Sequence, residues 1–269
     1  MSSSPVIEVL DEAALPARAA GMIVSKLRDA IGERGSAVLV PSAGRTPTPT
    51  YRALCATHAS SLDWRRVEIV QMDEYRGLGP DDPLSFAHYL SAELVQPLHV
   101  GAFSHFNDRT GALIRPLESY ERSAGTIDLV VHGIGRNGHV GFNEPGSPIG
   151  SGCRSVRLAA STLQANFATD AERHRCCEGL TLGLRSLRAA RNSLLLAIGI
   201  EKAAAIRHAC SSPPSNQCPA SRLRGCRNLV ILADPAAASL IAPREPMRSG
   251  RRATSARSRH RPDPLAGLG

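Results

Sequence analysis

The residue types best suited to chemistry stand together in residues 127–148, which read IDLVVHGIGRNGHVGFNEPGSP. This stretch begins as an apolar, β-branched strand and continues with four glycines in nine residues, among and after which stand His139 and Glu144. Glycines let the backbone turn sharply and approach a ligand closely, and His and Glu side chains can exchange protons with that ligand. In an open parallel sheet, ligands bind beyond the carboxyl ends of the strands, so this layout is typical of an α/β active site.

Two adjacent carboxylates, Asp73 and Glu74, follow directly on a second predicted strand at residues 67–71. Carboxylates at the end of a core strand are unusual, because buried charge is costly unless it has a partner or a role. This position makes the pair a second candidate for acid–base work. The alternative is that one carboxylate caps the next segment while the other is exposed to solvent.

A third candidate site is a loop between a predicted strand and a predicted helix, within residues 41–55, PSAGRTPTPTYRALC. Backbone N–H groups and hydroxyls at a helix N-terminus are a natural site for phosphate. The loop is not a Walker loop, because the G-K-[ST] element is missing. An ordinary strand-to-helix turn is the alternative. The residues proposed to bind phosphate are Ser42, Ala43, Gly44, Arg45 and Thr46.

Elements of two kinds alternate along the chain and must position these residues. The predicted strands are 36–40, 67–71, one starting at 127, 154–159, 193–198 and 228–232. The predicted helices are 11–34, one starting near Pro47 or Pro49, one from about Ser85, 116–124, 178–189 and one from Gly199 to about Cys210, with residues 213–223 read as a loop. This alternation predicts an α/β fold, a Rossmann-like open, mostly parallel sheet with helices on both faces.

Composition limits the class of protein. The 269 residues have room for one large domain, predicted to span residues 1–243, followed by an Arg-rich tail at 244–269 that is expected to be disordered. The tail carries +5 of the net charge of +8, which leaves about +3 for the domain and argues against nucleic-acid binding by the domain. The chain contains no apolar run long enough for a membrane span and no signal peptide. Seven cysteines without a zinc-type spacing indicate free thiols in the cytoplasm.

The segment GIGRNGHVGFNEPG closely resembles the signature of the glucosamine-6-phosphate deaminase family. The similarity extends over roughly residues 6–240, because PSAGRTP, MDEYRGL and LLLAIGIEKAAAI follow the family pattern in the same order. The 6-phosphogluconolactonases share the fold and a G-x-G-x-x-G-H loop, but they lack FNEPG and usually MDEY. The resemblance therefore favours a deaminase.

The resemblance implies an enzyme that converts glucosamine 6-phosphate to fructose 6-phosphate and ammonia in amino-sugar catabolism, with no cofactor and no metal. In this scheme His139 moves a proton during ring opening, and Glu144 fixes its tautomer. Asp73 then removes the C2 proton and returns it at C1, while Glu74 supports the loop. The phosphate lies on the loop at 42–46 and near Lys202, and Gly135 also contacts the substrate.

Two departures from the family pattern matter. Asn137 stands where many members have Asp; an Asn can orient His139 but cannot take its proton, so an orienting role is expected. The family's phosphate-binding Arg, usually in an Asn-Ser-Arg-Phe-Phe stretch, is absent from the corresponding residues 165–168. Arg45 is predicted to replace its charge.

Two other functions stay open. A 6-phosphogluconolactonase or another sugar-phosphate isomerase is the first alternative. A non-catalytic sugar-phosphate sensor is less favoured, because Asp73, His139 and Glu144 are all present. The expected partner is a small sugar phosphate and not a membrane, and the sequence also allows a homo-oligomer.

Overall fold

The computed structural model describes residues 5–106, 126–211 and 213–241. Its main element is a seven-stranded sheet in which every neighbouring pair of strands is parallel. In chain order its strands are β1 (Val6–Val9), β2 (Ala37–Pro41), β3 (Val67–Val70), β5 (Ala102–Ser104), β6 (Leu129–Gly133), β9 (Asn192–Ala197) and β10 (Leu229–Ala233). Their spatial order is β1-β10-β9-β6-β2-β3-β5.

Helices cover both faces of this sheet. On one face, Leu39 and Val131 pack with the helices Leu15–Arg34 (α1) and Thr48–His58 (α2) in a single buried cluster. On the other face, the alternate residues of the same strands pack against later helices. The strands therefore have apolar side chains in both directions, as expected for a buried parallel sheet. The helices on this second face are Leu184–Ala189, Ala203–Ser211 and Pro235–Ala238. The helices Phe86–Leu90 and Gln96–Leu98 add Leu90 and Leu98 to the first cluster, and the chain also contains the helices Ala160–Asn166 and Asp170–Arg175.

The strand order reverses between β2 and β6. From β2 the chain builds outward through β3 and β5, and from β6 it builds in the opposite direction through β9 and β10. Such a switch point leaves a crevice beyond the carboxyl ends of the two central strands, where ligands bind in open α/β sheets. The loop at residues 42–46 follows β2 and the glycine-rich loop follows β6, so the topology brings two of the predicted sites to this crevice.

A second sheet, which the sequence did not predict, contains three antiparallel strands in the order β4-β8-β7. These strands are β4 (Asp73–Tyr75), β7 (Arg154–Arg157) and β8 (Glu178–Thr181). The prediction of one helix over 178–189 was therefore wrong in its first half, since only Leu184–Ala189 is helical. Gly183 separates the two parts, and a side chain there would overlap the backbone of Ser151 and Gly152.

Most other predicted elements are confirmed. Helix α1 ends where predicted, because Gly35 adopts a left-handed conformation with φ of 82°. The predicted loop at 213–223 instead contains a 3₁₀ helix, Pro219–Gly225, and the edge strands β1 and β5 were missed. The predicted helix at 116–124 and the tail at 244–269 lie outside the described residues. Within the described residues, no helix is long and apolar enough to cross a membrane.

Candidate active site

The loop after β6 holds His139 against its own backbone. The peptide N–H of Gly135 donates to the carbonyl of His139 at 3.0 Å, and Gly138 turns the chain with φ of 83°. A side chain at Gly135 would collide with the His139 imidazole. Gly135, which is predicted to contact the substrate, is therefore also required because a larger residue would leave no room for the His139 ring.

Asn137 is the direct partner of His139. Its Oδ1 atom lies 2.8 Å from His139 Nδ1 and also accepts the backbone N–H of His139 at 3.2 Å, while its Nδ2 donates to Glu144 Oε2 at 2.8 Å. Because an amide oxygen only accepts, Nδ1 must carry the proton, and Nε2 is the basic nitrogen of the neutral ring. Glu144 Oε2 is farther from His139 Nδ1, at 3.5 Å. The orienting effect of Glu144 thus passes mainly through Asn137.

Glu144 is ionised in this arrangement. Burial alone would raise its pKa, but hydrogen bonds and charge from His139, Thr162 and Asn137 outweigh burial and lower the pKa to about 2. Thr162 donates to Glu144 Oε1 at 2.6 Å. Sequence reasoning missed Thr162, which stands 18 residues from Glu144 in the chain and in no recognisable motif.

The FNEPG segment also fastens the loop to the second sheet. The buried Asn143 side chain donates to the carbonyls of Val140 and Leu182 at 3.0 and 2.9 Å. The Phe142 ring packs 5.2 Å from the Tyr75 ring, and the Phe142 N–H donates to the hydroxyl of Thr181. The segment therefore carries Glu144 and also holds the glycine-rich loop against the second sheet.

Asp73 is the first residue of β4 and is only 6% exposed. Burial, and secondarily the neighbouring charge of Glu74, raise its pKa to about 8. Across the strand pair Asp73 faces Thr181, whose hydroxyl accepts the Phe142 N–H. Strand β4 thus connects Asp73 to the loop that carries His139. A buried carboxyl with a pKa near neutrality is a suitable general base.

Glu74 has a structural environment. Its carboxylate is fully buried and accepts hydrogen bonds from five donors, all between 2.7 and 3.0 Å. Two of these donors are the N–H groups of Phe86 and Ala87, at the start of the helix Phe86–Leu90. The remaining donors are the Gln71 amide, the Tyr75 N–H and the Ser85 hydroxyl. These contacts agree with the expectation that Glu74 supports its loop.

The predicted phosphate loop is held by its carbonyl groups. The Tyr51 hydroxyl donates to the Ser42 carbonyl at 2.7 Å, and the Thr48 hydroxyl donates to the Gly44 carbonyl at 2.8 Å. The buried Ser42 hydroxyl has no hydrogen-bond partner among the described residues. Burial raises the pKa of Tyr51, and the charges of Tyr89 and Asp73 add to this rise. Two further loop residues, half-buried, are Ala43 and Thr46.

Three cations come to the same crevice from three adjacent strands. Arg45 follows β2, Arg136 follows β6 and Lys202 follows β9. Burial lowers the pKa of Lys202; Glu201 opposes this, and the positive charges of Arg136 and Arg45 add to the lowering. Among the residues that the structure describes, none of the three forms an ion pair. A cluster of unpaired cations attracts a dianion such as a phosphate. Sequence reasoning missed Arg136, although it lies within the glycine-rich motif.

The segment that lacks the family's Arg packs on Tyr75 instead. Asn166 donates to the Tyr75 hydroxyl at 3.1 Å, and the Phe167 ring lies 5.0 Å from the Tyr75 ring. Nearby, Arg173 binds the carbonyls of Phe167 and Ala168, and Arg175 forms an ion pair with Asp82. Arg173 and Arg175 are therefore already engaged within the fold.

A family model described as glucosamine-6-phosphate isomerases/6-phosphogluconolactonase matches residues 10–231. The chain belongs to the glucosamine-6-phosphate isomerase/6-phosphogluconolactonase family. This finding confirms the resemblance inferred from GIGRNGHVGFNEPG.

Relatives of the chain within this family include named deaminases. A glucosamine-6-phosphate deaminase of Geobacillus sp. (strain WCH70) is 33% identical over 247 residues, which cover 88% of this chain and 95% of the relative. Glucosamine-6-phosphate deaminase 1 of Bacillus subtilis (strain 168) is 36% identical over 222 residues, covering 79% and 90%.

Solved structures of the family have the same fold. A monomeric glucosamine-6-phosphate deaminase superposes with a TM-score of 0.79 and 32% identity, covering 87% of this chain and 99% of the other. A 6-phosphogluconolactonase from Shewanella baltica OS155 superposes with a TM-score of 0.70 at 23% identity, covering 87% and 98%. At that identity the lactonase likeness concerns the fold alone.

Proposed function

We propose that this chain is a glucosamine-6-phosphate deaminase that converts glucosamine 6-phosphate to fructose 6-phosphate and ammonia. The observation that carries the proposal is the position of two acid–base groups at one sheet edge. Asp73, with its raised pKa, and the His139–Asn137–Glu144 group are joined through β4, β8 and the FNEPG segment. The named deaminases at 33–36% identity support the same reading.

The phosphate is held by the loop at 42–46 and by the cations around it. The Ser42 hydroxyl has no partner within the described part of the chain and can donate to the phosphate, and Lys202, Arg136 and Arg45 balance the dianion. Because these groups bind the part of the substrate that does not react, they hold the ground state and the transition state equally. These groups are therefore expected to lower KM and to leave kcat nearly unchanged.

His139 opens the pyranose ring. Asn137 keeps the proton on Nδ1, so Nε2 is the nitrogen that takes the proton of the anomeric hydroxyl and returns it to the ring oxygen. The Glu144 carboxylate, ionised at neutral pH, stabilises the imidazolium that forms in between.

Asp73 acts on the open-chain aldehyde. Its carboxylate removes the C2 proton while the aldehyde oxygen takes up a proton from the ammonium group of the substrate, which gives a neutral enolamine, and the Asp73 carboxyl then returns its proton at C1. The resulting iminium at C2 adds water and releases ammonia, which leaves the C2 ketone of fructose 6-phosphate. A base with a raised pKa is stronger than a solvated carboxylate, and this favours abstraction from carbon.

We also propose that the chain works in the cytoplasm, because its seven cysteines, all free in the structure, would remain reduced there. Size-exclusion chromatography with light scattering measures whether it forms the homo-oligomer that the sequence allows or, like the solved relative described as monomeric, a monomer.

Product analysis with two substrates tests the function. Purified protein incubated with glucosamine 6-phosphate is expected to release ammonia and fructose 6-phosphate in equal amounts, and to leave 6-phosphogluconolactone at its spontaneous rate of hydrolysis. Accelerated lactone hydrolysis without ammonia release would identify a lactonase instead. Binding of glucosamine 6-phosphate without turnover would identify a sensor.

A further inference from the structure

The hydroxyl of Thr162 reaches the His139–Glu144 pair from an element outside the glycine-rich loop. Thr162 lies in the helix Ala160–Asn166 and is only 4% exposed. Its Oγ1 atom is 2.6 Å from Glu144 Oε1 and 3.5 Å from His139 Nδ1. A short hydrogen bond to an ionised carboxylate is among the stronger kinds found in proteins.

The two oxygens of the Glu144 carboxylate each receive one neutral donor. Asn137 Nδ2 donates to Oε2 at 2.8 Å, and Thr162 donates to Oε1. A carboxylate held at one oxygen can still rotate, because the terminal torsion of Glu has a broad energy profile. Two donors on different oxygens fix its plane, and Asn137 in turn fixes the imidazole. The proton of the Thr162 hydroxyl is already used by Glu144, so this group does not donate to a substrate.

The helix that carries Thr162 is also attached to the strand that carries Asp73. Asn166, at the end of this helix, donates to the Tyr75 hydroxyl at 3.1 Å, and Phe167 packs on the Tyr75 ring. Tyr75 is the last residue of β4, which begins at Asp73. These contacts hold the helix of Thr162 at a fixed position relative to β4, the strand that carries the proposed base Asp73.

We propose that Thr162 is a positioning residue, which fixes the Glu144 carboxylate and, through Asn137, the His139 imidazole in the orientation needed for ring opening. Where activity is concerned, this inference rests on the proposed function. Removing the hydroxyl frees the carboxylate to rotate and disorders the Asn137 amide, while the phosphate site beyond β2 and β9 is untouched.

Three single variants separate the hydroxyl from the packing of its side chain. Thr162→Val keeps the shape and removes the donor, Thr162→Ser keeps the donor and removes a methyl group, and Ser161→Ala removes an exposed hydroxyl from the neighbouring position as a control. Thr162→Val is expected to lower kcat for glucosamine 6-phosphate about tenfold, the effect of one lost charge-assisted hydrogen bond, with KM changed by less than about twofold. Thr162→Ser and Ser161→Ala should retain wild-type kcat.

A second readout does not depend on activity. The side-chain NH₂ signals of Asn137, assigned with Asn137→Asp, report its hydrogen bond to Glu144 in two-dimensional NMR spectra. They should shift and broaden in Thr162→Val and stay unchanged in Thr162→Ser and Ser161→Ala. If wild-type protein releases no ammonia, the proposed function fails while these signals still test the positioning. Equal impairment of Thr162→Val and Thr162→Ser, or an unaltered Asn137 signal with wild-type kcat in Thr162→Val, would overturn the inference.

Discussion

Arg45 is the residue at which the proposed phosphate site departs most clearly from the family pattern. It is exposed in the loop after β2 and acts electrostatically on Lys202, as does Arg136. The segment where the family usually carries its phosphate-binding Arg packs on Tyr75 instead. In the proposed function, the charge of the sugar phosphate is therefore balanced by cations from the strand-end loops.

Arg45→Ala is expected to raise KM for glucosamine 6-phosphate about tenfold or more, with a smaller change in kcat, because the phosphate is held equally before and during reaction. The loss corresponds to about 1.5–3 kcal/mol, the range for a hydrogen bond to a charged group. Steady-state kinetics measure it, with Arg207→Ala, exposed on the helix after Lys202, as control. An unchanged KM in Arg45→Ala together with a raised KM in Arg136→Ala would assign the role to Arg136 alone.

His132 is a buried polar residue that has no role in the proposed mechanism. It lies in β6, has no exposed surface, and neither ring nitrogen has a hydrogen-bond partner among the described residues. Burial lowers its pKa to about 3. The folded protein therefore keeps this ring neutral, whereas the unfolded chain takes up a proton below its ordinary pKa of about 6.5.

The sign of this linkage predicts acid sensitivity. As the pH falls from about 6.5 towards 3, His132 should remove up to about 1.4 kcal/mol of stability per pH unit. His132→Leu should lessen this slope and add about 1–2 kcal/mol at pH 7, because two unpaired buried nitrogens disappear. Urea unfolding between pH 5 and about 7.5 measures both, with the exposed His174→Leu as control. Parallel pH slopes for wild type and His132→Leu would contradict the prediction.

At the scale of elements, Glu74 joins the strand β4 to the helix Phe86–Leu90. Replacing it by Gln turns one acceptor atom into a donor that faces other donors, so several hydrogen bonds are lost at once. Glu74→Gln is expected to lower the free energy of unfolding by about 2–4 kcal/mol, measured by denaturant titration. The exposed Glu12→Gln should change it by less than about 0.5 kcal/mol. An unfolding free energy equal to wild type would show that these contacts are replaceable.

The parallel sheet was predictable from sequence because its strands are short apolar runs that alternate with amphipathic helices. The second sheet was not, because β4 is only three residues long and its residues were read as catalytic. Leu180 lies in β8 and Leu184 in the helix that follows it, yet their spacing of four residues is also that of one face of a helix. Only the pairing of β8 with β4 and β7, two strands that are distant from it in the sequence, decides that Glu178–Thr181 forms a strand and not the first turn of a helix.

The same contrast holds for the candidate site. Asp73, His139 and Glu144 could be proposed from the sequence because they stand in compact motifs whose order along the chain is recognisable. Thr162 and Tyr51 were missed because each acts through a hydrogen bond to a residue in another element. A sequence motif therefore predicts candidate reacting groups more readily than it predicts the residues that hold them in position.

At the scale of the whole molecule, the boundary after residue 243 is a prediction that truncation tests. Ile241 packs against a buried cluster that includes Ile231 and Ala237, whereas the residues after 243 are mostly Arg, Ser, Pro and Gly. A chain ending at Pro243 is expected to keep the wild-type melting temperature and activity. A chain ending at Ser239 loses Leu240 and Ile241 and should melt several degrees lower. Loss of activity in the chain ending at Pro243 would show that the tail belongs to the catalytic unit.

The most direct test of the account is the pH dependence of kcat/KM for glucosamine 6-phosphate in wild type and Asp73→Asn. If Asp73 is the base, wild-type kcat/KM should rise with pH and level off above about 8, where its carboxyl is ionised. Above about pH 8, Asp73→Asn should turn over at least about a hundredfold more slowly than wild type, with little change in KM. Its stability should be no lower than that of wild type, and the exposed Asp29→Asn should match wild type in turnover. Turnover by Asp73→Asn within a few-fold of wild type would contradict the assignment of Asp73 as the base.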